Sequence, residues 1–230
     1  PRSTGTQPMR FAYQPRIGAQ RSCFFMMNFG RGRVETMTMM SKKLWWFDAN
    51  PPEYKQHKYP AAEGPSEINS TPVFYKNRVY VASGGDIWWG KREAKLTCFD
   101  AGGTGDITAK AARWTYPLKE HCCGTPSISN GLAFIGDLGR LVHCVDAETG
   151  APCWTHETRG EVWASTLAAD GKVYVGDRMN SRVQVFSPGG EYLSEWPDVY
   201  QPNDLFVDAD GLVYVPELGY LETLPRSGPR

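Results

Sequence analysis

A turn followed by a short alternating strand with an aromatic in it recurs along this chain. That recurrence limits its fold more than any single residue does. The pattern reads Asn77-Arg78-Val79-Tyr80-Val81, then Asn130-Gly131-Leu132-Ala133-Phe134-Ile135, then Asp170-Gly171-Lys172-Val173-Tyr174-Val175, then Asp210-Gly211-Leu212-Val213-Tyr214-Val215. From Phe134 to Tyr174 to Tyr214 each step is 40 residues. A second strand gives the same register independently, as Leu96-Thr97-Cys98-Phe99-Asp100, Val142-His143-Cys144-Val145-Asp146 and Val183-Gln184-Val185-Phe186-Ser187, with Leu44-Trp45-Trp46-Phe47-Asp48 upstream. Then comes a tryptophan: Trp114, Trp154 and Trp196 lie 40 and 42 residues apart. The first unit is longer, and its extra length falls at 87–95 and 102–111, where insertions are tolerated as loops.

A period of about 40 residues holding roughly four short strands is the size of a β-propeller blade. No run of ten or more residues in the repeat region shows the 3.6 period of an amphipathic helix. The expected class is therefore all-β, a partial or small β-propeller of about four blades, each of four antiparallel strands. The expected organisation is an irregular basic segment over 1–40, blades over 41–222 and a tail over 223–230. A closed ring takes roughly 4 to 8 blades. One partial, three full and one partial unit read instead as a piece of a larger propeller, whose uncovered strand edges invite another chain.

Charge separates the head from the rest. Residues 1–43 hold six Arg and two Lys against one acid, Glu35, while the whole chain balances 25 basic against 25 acidic residues. That balance argues against a nucleic-acid binder, which needs an excess of cations on one surface. The longest apolar run of the head, Cys23-Phe24-Phe25-Met26-Met27, is far short of the roughly 18 residues that span a bilayer, so no membrane span is expected. Six Cys with no C-x-x-C pair suit neither a disulfide scaffold nor a structural zinc site. The four His (57, 121, 143, 156) are scattered, and no metal site is expected from them.

The segment Asp146-Ala147-Glu148-Thr149-Gly150-Ala151-Pro152-Cys153-Trp154 resembles the D-x-x-T-G-x-x-x-W signature of pyrroloquinoline-quinone (PQQ)-like propellers, the quinoprotein repeat family. The spacing has a physical reason: Thr-Gly makes a tight turn, and four residues beyond it an indole can lie against a neighbouring sheet with its N–H bonded to backbone. Asp146, Thr149, Gly150 and Trp154, with Trp114 and Trp196, are the structural signature that the resemblance implies. The likeness runs over about 44–177. After about 178, Asn180 to Pro188 and Gln201 to Asp208 are more similar to the NHL repeat, another propeller blade.

The resemblance implies two functions. One is a non-catalytic binding or scaffold module with no catalytic residues and no cofactor, engaging a protein partner or the remaining blades. The other is a portion of a PQQ- and calcium-dependent alcohol or sugar dehydrogenase, in which an adjacent pair, Cys122 and Cys123, would back the quinone as a vicinal disulfide. From the residues themselves, Cys122-Cys123 is either a strained, easily reduced bridge or two buried thiols at a strand start. The family is mostly exported, which implies a periplasmic or similar location.

The remaining candidates divide by whether the repeat explains them. Cys98, Cys144 and Trp46 occupy one blade position and read as interior packing, and Cys153 as inert. Asp48, Asp100 and Asp146 recur with the blades and read as turn caps, as do Asp137, Asp177, Asp204 and Asp208. Trp88 and Trp89, in a glycine-flanked insert, stand outside the repeat and are candidate partner-binding residues. Gly102-Gly103-Thr104-Gly105-Asp106 lacks the Lys and following helix of a phosphate loop and reads as a hairpin.

Overall fold

Short alternating segments separated by Gly, Asn and Asp turns pair with their chain neighbours, because a two-residue turn returns the chain antiparallel to itself. A computed structural model describes residues 23–28, 33–38, 43–49, 68–84 and 92–218. Its first sheet contains β1 (Cys23–Asn28), β2 (Arg33–Thr38) and β3 (Lys43–Asp48), paired antiparallel in that order. The second contains β4 (Val73–Tyr75), β5 (Arg78–Gly84) and β6 (Ala94–Asp100). An insert then makes β7 (Gly105–Asp106) and the one-turn helix α1 (Thr108–Ala111), before β8 (Ala112–Leu118) completes the second sheet.

Two further sheets are uninterrupted four-strand meanders. One runs through β9 (Ser127–Ser129), β10 (Leu132–Gly136), β11 (Leu141–Asp146) and β12 (Pro152–Glu157). The next runs through β13 (Thr166–Ala169), β14 (Lys172–Asp177), β15 (Arg182–Phe186) and β16 (Tyr192–Trp196). The described chain closes on a two-stranded sheet of β17 (Phe206–Val207) and β18 (Val213–Tyr214).

Burial shows how the sheets stack. The middle strands β5, β6, β10, β11 and β14 are buried almost throughout, whereas β8 and β12 alternate between exposed and half-buried residues. A strand covered on both faces must have a sheet on each side. The first strands β4, β9, β13 and β17 neighbour one another in succession, so the sheets fan from a common inner side as propeller blades do. Between successive blades lie four apolar seams, centred on Phe47 and Phe99, on Tyr80 and Ile135, on Phe134 and Phe186, and on Tyr174 and Leu205.

Three sequence expectations differ from this arrangement. Residues 1–40, expected to be irregular, supply β1 and β2. The Cys23–Met27 run is continuously apolar rather than alternating, and no Asn-Gly or Asp-Gly turn precedes it as in the third and fourth blades. Gly102 to Asp106 is no hairpin: Gly105 and Asp106 pair in parallel with Trp45 and Trp46 at the outer edge of β3, and the Ile107 N–H donates to Trp46 O (3.1 Å). Trp46 is half-buried, unlike the fully buried Cys98 and Cys144. Trp88, Trp89 and the 223–230 tail lie outside the described residues.

Candidate functional site

The second and third seams are each built from one turn and one indole. In the Asp146-to-Gly150 turn, Asp146 Oδ1 accepts from the Glu148 and Thr149 amides (3.0 and 2.7 Å) and from the Thr149 hydroxyl (2.8 Å). These donors, the Thr149 hydroxyl first, hold the Asp146 carboxyl below its ordinary range. Gly150 takes φ +73°, and a β-carbon there would stand 2.6 Å from Trp114 Cδ2 of the preceding blade. The blade before grips this turn at three points. Arg78 donates to the Glu148 carboxylate and carbonyl, the Tyr80 hydroxyl to Ala147 O (2.9 Å), and Trp114 Nε1 to the same oxygen (3.3 Å).

The next seam repeats the device. Trp154 Nε1 donates to Pro188 O (2.9 Å), and its ring lies over Gly190, φ +89°. Trp196 packs against Tyr174, centroids 5.3 Å apart, in the last seam with Val213 and Val215.

Deeper in the seams lies a column of buried polar side chains. By strand register Ser83, Asp137 and Asp177 are equivalent, as are Thr97, His143 and Gln184, and all six are buried. In the middle seam Asp137 Oδ2 accepts from the Lys119 amide (2.8 Å) and meets His143 Nε2 (2.9 Å). Oδ1 accepts from the Leu141 amide (3.2 Å), and His143 Nδ1 meets the Tyr116 hydroxyl (3.1 Å). Every polar atom of this Tyr–His–Asp chain faces a partner, which suits an inter-blade tie. Sequence reading treated His143 as scattered and Asp137 as a turn cap. Gly136-Asp137 does recur in the sequence as Gly176-Asp177, and the further signal is the polar residue that follows each in the next strand, His143 and Gln184.

One seam later the same positions open into a cleft of about 460 Å³, lined by His156, Arg159, Arg182, Gln184, Tyr192 and Glu195 among others. Arg182 there donates to Asp177 Oδ2 (2.8 Å) and Glu195 Oε2 (2.7 Å). Burial raises the Asp177 pKa, partly opposed by Arg182 and Asn180, and burial with Arg182 lowers that of His156. The cleft is polar and balanced in charge, with no nucleophile beside a base.

Cys122 and Cys123 are free thiols at the start of the third blade. Cys122 is buried in the second seam and its thiol donates to Gly136 O (3.2 Å) and Gly124 O (3.5 Å), with a pKa pushed far up by burial. A thiol turned into an apolar seam does not fit a pair backing a quinone ring. Among the described residues no three His, Cys, Asp or Glu side chains come together as a group that could hold a metal ion. Among those residues no helix is long and apolar enough to cross a membrane.

Comparison with known proteins agrees with this geometry. Residues 92–190 match the PQQ_2 family model, described as outer membrane protein assembly factor BamB, and the match continues past 178. Among solved structures the fold is similar to BamB from Moraxella catarrhalis, with a TM-score of 0.63, 14% identity, and 89% of this chain and 53% of that one covered. It is also similar to the computationally designed Ika8 protein, with a TM-score of 0.58, 12% identity, and 88% and 60% covered. This chain thus spans little more than half the length of either. No curated protein matches it.

Proposed function

We propose that this chain, whose blades are PQQ-like β-propeller repeats, acts as a non-catalytic binding or scaffold module, a fragment of a larger propeller that engages a protein partner or the remaining blades through its last described blade. One observation carries the reading. The recurring aromatic is 1% exposed as Tyr80, 1% as Phe134 and 7% as Tyr174, but 51% exposed as Tyr214. Phe206 and Leu212 beside it are exposed as well. The position that the second, third and fourth blades bury is left open in the last described sheet, β17–β18, and an apolar face next to a strand edge recruits further strands. The description of the matching family as an assembly factor supports a role in holding proteins together.

A second copy of the chain is the available probe of that face. Sedimentation velocity over a hundredfold concentration range is expected to show reversible association, lost on Tyr214→Arg with circular dichroism unchanged. A monomer at every concentration would count against the open face. The catalytic alternative is tested separately by mixing the chain with PQQ and calcium. Quinone absorbance surviving gel filtration, together with dye reduction on adding an alcohol, would reject the binding module.

A further inference from the structure

We propose that Cys144 and Cys153 are a redox-modification site, closing to a reversible cross-strand disulfide in the third blade. Sequence alone reads Cys144 as packing and Cys153 as inert, and in a regular ladder that reading would hold. Cys144 pairs with Trp154, and successive residues of a strand point to opposite faces, so Cys153 would face away. The ladder is not regular here. Between Cys144 and Val145 the register steps from Trp154 to Pro152, leaving Cys153 as the extra residue of a β-bulge. A bulge re-aims its side chain, and Cys153 comes near enough to Cys144 to help raise the pKa of its thiol. Neighbouring strands run about 4.8 Å apart, inside the Cα separation of roughly 4.4 to 6.8 Å that a disulfide spans.

The other blades show that the pairing is particular to this one. The second blade has the same bulge with Arg113 as its extra residue opposite Cys98, and the fourth has Leu193 near Val185. Thiols stand on both sides only in the third. Their exposures divide the labour: Cys153 is open to solvent, while Cys144 is buried among Phe134, Val142 and Phe186. A small disulfide reaches Cys153 first. Its thiolate attacks, the small disulfide breaks, and one small thiol leaves from a mixed disulfide on Cys153. Cys144 then gives its proton to solvent base and attacks the Cys153 sulfur, releasing the second small thiol. Two protein thiols are oxidised and one small disulfide is reduced to two thiols. Burial and the neighbouring Cys153 hold Cys144 up to about 12, so closure is the slow step.

The test incubates the folded full chain with oxidised glutathione and maps peptides without reduction. Expected are loss of two thiols per chain, a Cys144–Cys153 linked peptide, and a Tm raised by about 5 °C that reverts with dithiothreitol. Cys153→Ser, an exposed change that spares the core, is expected to abolish the link and leave Cys144 unmodified. A stable glutathione adduct on Cys153 with Cys144 still free would overturn the proposal. So would a bridge between Cys122 and Cys123 with Cys144 and Cys153 both reduced.

Discussion

Two glycines in different turns of the third blade separate what a backbone needs from what a neighbour needs. Gly131 and Gly150 both take positive φ, +80° and +73°. A β-carbon on Gly131 meets nothing within 4 Å, whereas one on Gly150 strikes the Trp114 ring. Gly131→Ala is expected to cost about 1 to 2 kcal/mol, the penalty of the left-handed region alone. Gly150→Ala adds the displaced indole and the loss of its bond to Ala147 O, so its cost should exceed that of Gly131→Ala by about 1 to 3 kcal/mol. Urea unfolding of the two variants side by side checks this, and equal midpoints would show that the Trp114 seat carries no stability.

At the scale of elements, the first seam is sealed by different means from the others. Trp114, Trp154 and Trp196 each pack into a seam, but in the first the buried Ile107 and Ala111 of the insert join Trp45, Phe47 and Phe99. The same insert pairs β7 with the outer edge of β3, and its Thr108 hydroxyl oxygen accepts from the Asp48 amide (2.9 Å). The insertion therefore closes the preceding blade as well as lengthening its own. Ile107→Ala, which empties the seam, is expected to cost about 2 to 4 kcal/mol. The measurement is urea unfolding followed by tryptophan fluorescence, and an unchanged midpoint would mean that the seam does not depend on the insert. Sequence marked 102–111 as extra length but not as a strand, since Gly105-Asp106 has no apolar alternation and becomes extended only through its partner.

For the molecule as a whole, a succession of blades held by nearest-neighbour seams behaves as a one-dimensional array, whose stability falls towards its open end. The third blade has a blade on each side, while among the described residues β17 and β18 share one seam, with Tyr174, Leu205 and Trp196. Amide hydrogen exchange of the full chain is expected to be slowest in β10, β11 and β14 and fastest in β17 and β18. Uniform protection through β18 would mean that the last sheet is covered in solution and would remove the basis for its open face.

The alternation of side chains and the placing of Gly, Asn and Asp in turns are local properties, so the strands from β3 to β16 other than β7, their order and the three tryptophan positions could be read from the sequence alone. So could the Asp146-to-Gly150 turn, because its bonds close within five residues. The rest depends on what lies across a seam. Only stacking one blade on the next buries Asp137, His143 and Tyr116 together, opens their counterparts into a cleft, and turns the Cys122 thiol inward. A bulge, a one-residue step between two paired strands, brings Cys153 to Cys144. No residue's chemical type records which sheet will face it, and that contact is what tertiary structure decides.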